Sequence, residues 1–233
     1  MITNEFILLE NLHRTYQEAG QEHAVLKGIT LTIRRGETIA LLGRSGSGKS
    51  TLLNVISGID RLDHGQVIVG GVNLTALQER ESTRFRRKNI GFVYQFFNLI
   101  PTLTALENIA LVLELNGYSQ EAIREKSLAI LAAVGLAQAA DRFPDRMSGG
   151  EQQRVAIARA LVHSPGLVLA DELTGTLDAE TGELILSLLQ KLVSDQGGTL
   201  FLVTHSLAVA KTADRILTLE DGLLAEQEGS FAW

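Results

Sequence analysis

The feature that most restricts how this chain can fold is a glycine-rich loop between an apolar strand and a helix. Residues 37–42 are an apolar run of strand length. Residues 50–57 carry leucine and isoleucine at helical spacing, and Gly58 after them is a suitable C-cap. The loop between these segments matches the pattern G-x-x-x-x-G-K-[ST] with the residues Gly43, Arg44, Ser45, Gly46, Ser47, Gly48, Lys49 and Ser50. This order of elements predicts an α/β fold.

The same loop predicts a phosphate-binding site. Glycines allow the backbone to curl so that successive N–H groups face phosphate oxygens, and the following helix adds its positive N-terminal end. We expect Lys49 to neutralise the β- and γ-phosphates of a nucleotide, Ser50 to offer its hydroxyl to Mg²⁺, and Thr51 to reach a phosphate oxygen. A glycine- and serine-rich turn without a ligand is the alternative reading.

Composition and charge exclude several classes of protein. The net charge of -6 and the pI near 5.4 argue against a surface that neutralises nucleic-acid phosphates. The absence of cysteine excludes disulfides and thiolate metal sites. Met1–Glu10 carries no basic leader followed by a long apolar segment, so we expect no signal peptide. The longest apolar runs, such as 167–170, are far shorter than the roughly 20 residues of a membrane-spanning helix. Any membrane association should therefore go through a partner.

The remaining chain alternates between helical and strand-like segments. Apolar spacing predicts helices over 104–140 and 148–162, a strand over 167–170, a helix over 181–193 and a strand over 199–203. Residues 215–226 contain two short runs around Asp221-Gly222, which is a hairpin signal. Strands that alternate with helices predict a mainly parallel sheet covered by helices.

The strand predicted over 167–170 ends in two adjacent carboxylates, Asp171 and Glu172. In an open α/β sheet, ligands bind at the carboxyl ends of the strands, so both acids should lie beside the phosphate loop. Because neighbouring strand residues point in opposite directions, we expect Asp171 to serve the Mg²⁺ shell and Glu172 to polarise the attacking water as general base. Acids that merely end a strand before a turn are the alternative.

These two motifs alone leave kinases, GTPases, helicases and other P-loop enzymes open. A third segment closely resembles the signature of the ABC ATPases and precedes the acidic strand as it does in that family: Met147, Ser148, Gly149, Gly150, Glu151, Gln152, Gln153 and Arg154. The resemblance covers nearly the whole chain. It implies a P-loop ABC ATPase with a mainly parallel sheet, an N-terminal antiparallel β portion and an α-helical subdomain at about 100–159, inserted in a core of about 1–95 and 160–233.

The resemblance also implies roles for single residues. Tyr16 would stack on adenine, Gln95 would lie near Mg²⁺ and the attacking water, and His205 would act at the γ-phosphate. ATP and Mg²⁺ are thus the expected cofactors. A Tyr or His with a purely structural role is the alternative reading for Tyr16 and for His205.

Further residues of the resemblance imply a homodimer. Ser148 and the Gly149-Gly150 backbone would bind the γ-phosphate held by a second copy of the chain, and Thr176-Leu177-Asp178 would form the D-loop. Two ATP molecules would then be sandwiched between two copies. Closure of the dimer on ATP and its release after hydrolysis would supply the power stroke.

A closer resemblance is to the branch that includes macrolide-efflux, lipoprotein-releasing and cell-division ABC ATPases. It is carried by Ser57-Gly58-Ile59-Asp60, by residues 91–101 and by Glu107-Asn108. The chain departs from the family pattern where a proline, an asparagine and an acid are usual, at Leu173, Thr176 and Ser206. The metal and phosphate groups are retained, so we expect activity.

An apolar run after Gln95 predicts a partner surface. Its large apolar residues fit neither helical nor strand periodicity and lie in a loop: Phe96, Phe97, Leu99 and Ile100. By resemblance, this region receives a short helix from a transmembrane permease subunit. The chain would then lie in the cytoplasm, on the inner face of the plasma membrane. Part of the run must be core, which is the alternative for any one of these residues.

Three functions follow from the resemblance. The first is the ATP-hydrolysing subunit of a transporter for export or for extraction from the membrane. The second is a transmembrane signal transducer of the cell-division type, which moves no substrate. The third is a soluble ABC ATPase that acts on nucleic acid or ribosomes. Proteins of this third class usually carry two ATPase units or long coiled-coil insertions, and the sequence shows neither.

Overall fold

The computed structural model describes residues 5–18, 20–175 and 177–226. The chain divides into two compact units, one formed by Met1–Arg86 with Phe201–Trp233 and the other by Arg87–Leu200. The helical subdomain predicted at 100–159 remains a prediction. Thr176, singled out in the sequence, lies outside the described residues, as does part of Met1–Glu10.

The first unit contains an antiparallel sheet. Its strands follow the order β2-β1-β4-β5 and are β1 (Glu5–Glu18), β2 (Gln21–Arg34), β4 (His64–Val69) and β5 (Val72–Asn73). Along β2, Ile29, Leu31 and Ile33 are buried and the residues between them are more exposed. This period of two is that of a strand with one face on a core. The predicted N-terminal antiparallel portion is confirmed.

The first unit also contains β3 (Thr38–Leu42), which pairs in parallel with β9 (Arg215–Glu220). Helix α1 (Lys49–Ile56) follows β3 after the glycine-rich loop, as predicted. Strand β10 (Leu223–Glu226) pairs antiparallel with β9. Their turn residues Asp221 and Gly222 both have positive φ, 50° and 78°, as a tight two-residue hairpin turn requires. The predicted hairpin is confirmed.

Helix α2 (Glu79–Asn89) begins in the first unit and was not expected. Its sequence is almost entirely polar, and Ser82 is its buried residue. Without an apolar stripe, a helix leaves no periodic signal in the sequence. The short helix α7 (Leu207–Ala210) follows strand β8 (Thr199–Thr204), which is shared between the two units.

The second unit pairs β6 (Ile90–Val93) in parallel with β7 (Leu167–Asp171). Its helices are α3 (Ala105–Leu115), α4 (Gln120–Ala133), α5 (Gly149–Leu161) and α6 (Ala179–Asp195). They confirm the helices expected in this part of the chain. Across the described ranges, every helix is too short or too polar to cross a bilayer.

Helix α5 begins with a capping box. Ser148 Oγ accepts from the Glu151 backbone N–H at 3.3 Å, and the Glu151 carboxylate accepts from the Ser148 N–H at 2.8 Å. Arg142 Nη1 lies 2.8 Å from the other carboxylate oxygen of Glu151. The bond from Arg142 and the backbone bond from Ser148 lower the pKa of Glu151 to about 2.

We predict that Glu151→Gln lowers the free energy of unfolding by about 1 kcal/mol at pH 7, because it removes an ion pair and a charge at a helix N-terminus. A depressed carboxyl pKa contributes stability that is complete above the ordinary value of 4.5 and is lost as the pH falls toward about 2. The difference between wild type and variant should therefore shrink below about pH 4.5. Urea unfolding at several pH values measures it.

The matched control is Glu121→Gln, which alters a first-turn acid of α4. Glu121→Gln should lower the free energy of unfolding at pH 7 by less than Glu151→Gln does. A wild-type-to-Glu151→Gln difference that stays constant from pH 7 down to pH 3 would contradict the role of the Glu151 charge.

Candidate functional site

The glycine-rich loop joins β3 to α1 within the first unit. A Cβ atom on Gly43 would lie 2.6 Å from Ser47 Oγ and 2.7 Å from the Leu219 carbonyl oxygen. Gly48, the N-cap of α1, has a φ of 101°, and a Cβ there would lie 2.8 Å from Val25 Cγ1. Only glycine fits at these two positions without a shift of the surroundings. The loop therefore has the tight, curled backbone of a phosphate cradle.

Two side chains of the loop are suited to binding a polyanion. The Lys49 side chain is buried, and its Nζ donates to the carbonyl oxygens of Gly43 and Arg44, each at 2.8 Å. Among the described residues, the buried Ser47 Oγ has no hydrogen-bond partner. A confined cation, an unsatisfied hydroxyl and the first N–H groups of a helix form a donor set that matches phosphate oxygens. Ser50 and Thr51 occupy the first turn of α1, as expected.

The space beside the loop is also polar. A cavity of about 280 Å³ is lined by loop residues, by the β9–β10 turn and by the start of β2, including Lys27 and Arg44. A larger cavity of about 350 Å³ has none of the loop residues in its wall and lies between α1, β4 and α2. The smaller cavity is thus the one that belongs to the phosphate loop.

Tyr16 lies in β1 and is half-buried. Its hydroxyl donates to the carboxylate of Asp60. The guanidinium carbon of Arg14 lies 4.5 Å from the centre of the Tyr16 ring, over one face. Tyr16 is therefore held by neighbours on one face and at its hydroxyl.

His205 directly follows the end of β8 and is exposed, at the carboxyl end of the strand, as expected. Ser206, which departs from the family pattern, is the N-cap of α7, and its Oγ accepts from the Val209 N–H at 3.3 Å. Serine is a favoured N-cap. Ser206, which stands where an acid is usual in the family, thus caps a helix.

In the second unit, Asp171 is the last residue of β7. Glu172 has a φ of 47°, so the chain leaves the strand conformation at this residue. The Gly175 N–H donates to the Glu172 carbonyl at 3.0 Å, which closes a turn. Leu173, at the position where the family usually has proline, is buried. The turn is therefore fixed by a buried leucine and a backbone hydrogen bond.

Gln95 lies two residues after the end of β6. A Cβ atom placed on Gly175 would be 3.1 Å from Gln95 Nε2. Gln95 therefore lies next to the turn that Glu172 begins.

The signature segment forms the start of α5. A Cβ atom on Gly149 would lie 3.6 Å from both Leu177 Cδ2 and Phe97 Cζ, and one on Gly150 would lie 3.0 Å from Thr181 Cγ2. Asp178 is the N-cap of α6, and its carboxylate accepts from the Thr181 N–H at 2.9 Å. This backbone bond lowers the pKa of Asp178. Asp178 therefore has a structural role besides the D-loop role that we expected.

The apolar loop after Gln95 is partly exposed. Phe96 is 68% exposed and Ile100 36% exposed, whereas Phe97 and Leu99 are half-buried. The loop thus buries part of its apolar surface and exposes the rest to solvent. Phe96 is its outermost residue.

Two residues that sequence reasoning assigned no site role hold this loop. The fully buried Asn108 accepts from the Ile100 N–H at 2.8 Å and donates to the carbonyl oxygens of Ile100, Leu103 and Thr104. Arg159 donates to the carbonyl oxygens of Phe97 and Asn98 at 3.0 Å and 2.7 Å. The signal for Asn108 was an amide among the apolar residues of a helix. Arg159 gave no signal in the sequence, because the residues that it contacts are 61 and 62 positions away.

The expected metal ligands are Ser50, Gln95 and Asp171. Nowhere in the residues that the structure describes do three or more His, Cys, Asp or Glu side chains converge as a metal site. One carboxylate, a hydroxyl and an amide suit Mg²⁺, which usually takes few protein ligands and completes its shell with water and phosphate oxygens. These ligand types are therefore chemically compatible with Mg²⁺, and their binding of one ion remains a prediction.

The family profile described as "ABC transporter" matches residues 26–175, more than half of the chain. An uncharacterized ABC transporter ATP-binding protein of Mycobacterium tuberculosis (strain ATCC 25618 / H37Rv) is 51% identical over 218 residues, covering 94% of this chain and 88% of that protein. The lipoprotein-releasing system ATP-binding protein LolD of Ruegeria sp. (strain TM1040) is 45% identical over 220 residues, covering 94% of this chain and 97% of LolD.

The fold also matches a solved structure. A dimeric post-hydrolysis state of the ATP-binding cassette MJ0796 of Methanocaldococcus jannaschii, bound to ADP and Pi, has a TM-score of 0.86 at 42% identity. The match covers 96% of this chain and 100% of that one. The similarity to LolD confirms the resemblance to the lipoprotein-releasing branch. This chain belongs to the ABC transporter family, as one of its ATP-hydrolysing subunits, with ATP and Mg²⁺ as cofactors.

Proposed function

We propose that this chain forms a homodimer around two ATP molecules and drives a separate transmembrane subunit, in export or in extraction of a substrate from the membrane. The observation that carries this proposal is the phosphate loop with its buried Lys49 and unpartnered Ser47 hydroxyl. The dimeric MJ0796 cassette and the lipoprotein-releasing protein LolD support the assembly and the type of transport. The chain would then work at the cytoplasmic face of the membrane.

In this proposal, the loop binds the phosphates and α1 adds its N-terminal N–H groups. Lys49 exchanges its two carbonyl partners for phosphate oxygens, which are stronger acceptors for a cation. Ser50, Asp171 and Gln95 would hold Mg²⁺, which would neutralise phosphate charge when bound. Tyr16 offers a ring face to the adenine.

Glu172 orients and deprotonates the attacking water, with Gln95 beside it and His205 at the γ-phosphate. Support for a reactive rather than structural Glu172 is its left-handed backbone, since a non-glycine residue with positive φ is uncommon and such residues cluster at functional sites. The position of Gln95 next to the turn that Glu172 begins supports a shared role of the two residues.

The signature acts on the nucleotide of the second copy. Ser148 already satisfies the Glu151 N–H, so the N–H groups of Gly149 and Gly150 are the helix donors offered to a γ-phosphate. Asp178, at the end of the D-loop, caps the neighbouring helix start. The partner subunit docks near Phe96, Phe97, Leu99 and Ile100, of which Phe96 offers the most apolar surface.

Lys49→Ala should weaken ATP binding about tenfold or more and lower hydrolysis at least about a hundredfold, because it removes the cation that faces the phosphates. Lys191→Ala, which alters an exposed lysine of α6, should leave both near wild type. Phosphate release and calorimetric binding of Mg-ATP measure the two effects. Activity of Lys49→Ala near wild type would overturn the site.

Glu172→Gln should retain ATP binding, lose hydrolysis and accumulate as an ATP-bound dimer, because the water loses its base while the signature contacts remain. Size-exclusion chromatography with Mg-ATP should show this dimer for Glu172→Gln but not for Glu183→Gln, which changes an exposed acid of α6. If Glu172→Gln remains monomeric with ATP bound, the trans arrangement or the role of Glu172 is wrong.

Phe96→Glu should leave ATP binding by the isolated subunit unchanged and disrupt assembly with the membrane subunit, because it places a charge on an apolar docking surface. Phe96 is a better position for this test than Phe97. The ring of Phe97 lies beside the start of α5, so its replacement would also disturb packing there. Co-purification with the membrane subunit measures assembly.

Leu184→Glu is the matched control for Phe96→Glu, because Leu184 is 67% exposed on α6. It should not affect assembly. Equal assembly of Phe96→Glu and Leu184→Glu with the membrane subunit would remove Phe96 from the interface.

A further inference from the structure

Three half-buried side chains of the first unit form a closed triangle around the proposed adenine-stacking residue. Tyr16 donates its hydroxyl to the carboxylate of Asp60. The same carboxylate accepts from Arg14 Nη2 at 2.9 Å and from Nε at 3.4 Å. The Arg14 guanidinium in turn lies over the Tyr16 ring, 4.5 Å from its centre. Each member of the triangle therefore contacts the other two.

The acid of this triangle is fixed to helix α1. The backbone N–H groups of Ile59 and Asp60 both donate to the Asn54 carbonyl, at 2.8 Å and 3.1 Å. Asn54 lies in α1, which begins in the phosphate loop at Lys49. With a rise of about 1.5 Å per residue, α1 spans about 12 Å between the phosphate loop and the segment that holds Asp60.

A second acid fastens the same segment to β1. Asp63 accepts from the Thr15 N–H at 2.6 Å and from Arg14 Nη1 at 3.2 Å, and its own N–H donates to the His13 carbonyl at 3.0 Å. The stretch of β1 that carries Tyr16 is thus joined to the segment after α1 on both sides of Arg14. These contacts connect residues that are more than 40 positions apart in sequence.

We infer that Asp60, together with Arg14, is a positioning residue for nucleotide binding: it fixes the Tyr16 ring at a set distance from the phosphate loop. Arg14 covers one face of the ring, so the base stacks on the opposite face. A ring that is already immobilised loses no rotamer freedom when the base arrives, and this raises affinity. The inference rests on the proposed function and concerns the nucleobase half of the site alone.

The test compares Mg-ATP with inorganic tripolyphosphate, which has no base, by calorimetric titration. Tyr16→Phe retains the ring but removes the hydroxyl, and Asp60→Ala removes the acceptor. Each should weaken ATP binding roughly three- to tenfold and leave tripolyphosphate binding unchanged. The double variant should bind ATP no more weakly than the weaker-binding single variant, because both changes break the same hydrogen bond between Tyr16 and Asp60. At saturating ATP, kcat of Asp60→Ala should equal that of wild type while its KM for ATP rises.

Controls separate this inference from the proposed function. Lys49→Ala should weaken both probes, and Asp195→Ala, at the exposed end of α6, should weaken neither. If wild type binds neither probe, the proposed function fails. If Asp60→Ala binds ATP within twofold of wild type, or loses both probes equally, the positioning role of Asp60 is overturned. Asp60→Leu, which has a similar volume and no acceptor, replaces Asp60→Ala if that variant does not fold, and the same outcomes apply.

Discussion

Close packing around the phosphate loop is the constraint on which the rest of the first unit depends. Gly43 is pressed against the backbone of β9 at Leu219, and Gly48 against Val25 of β2. The antiparallel sheet and the β3–β9 pair therefore both confine the loop. The Lys27 N–H, which donates to the Gly222 carbonyl at 2.9 Å, joins β2 to the β9–β10 turn next to it. A loop held from two directions has a fixed backbone, which is what preorganised phosphate binding requires.

Three helices begin at predicted site residues, and their N-caps differ. Helix α1 has Gly48 as its N-cap, and glycine offers no side chain that could cap the helix. Helices α5 and α6 start with Ser148 and Asp178, whose side chains each satisfy one N–H group. Cap chemistry thus separates the start of α1, which no side chain caps, from the starts of α5 and α6, which carry structural hydrogen bonds.

The local parts of this fold and site could be predicted from the sequence, whereas the contacts between distant residues could not. The phosphate loop and the Asp221-Gly222 hairpin are specified by residues next to one another, and both were predicted. Helix α2 was missed because its polar sequence carries no period. The bonds of Arg159 to the loop after Gln95, and of Tyr16 to Asp60, join residues 61 and 44 positions apart. No pattern in a single sequence encodes such pairs.

Within the second unit, one helix connects the proposed docking loop to the signature. Helix α5 begins at Gly149, beside the Phe97 ring. Nearly three turns from its start it carries Arg159, which donates to the carbonyl oxygens of Phe97 and Asn98. A hydrogen-bonded helix is stiff over this length, so its two ends cannot move independently. In the proposed dimer, engagement of a second copy's nucleotide by the start of α5 would therefore also move the loop bonded to Arg159. Phe96, which that loop exposes, would thereby transmit closure of the dimer to the membrane subunit without any change in the loop itself.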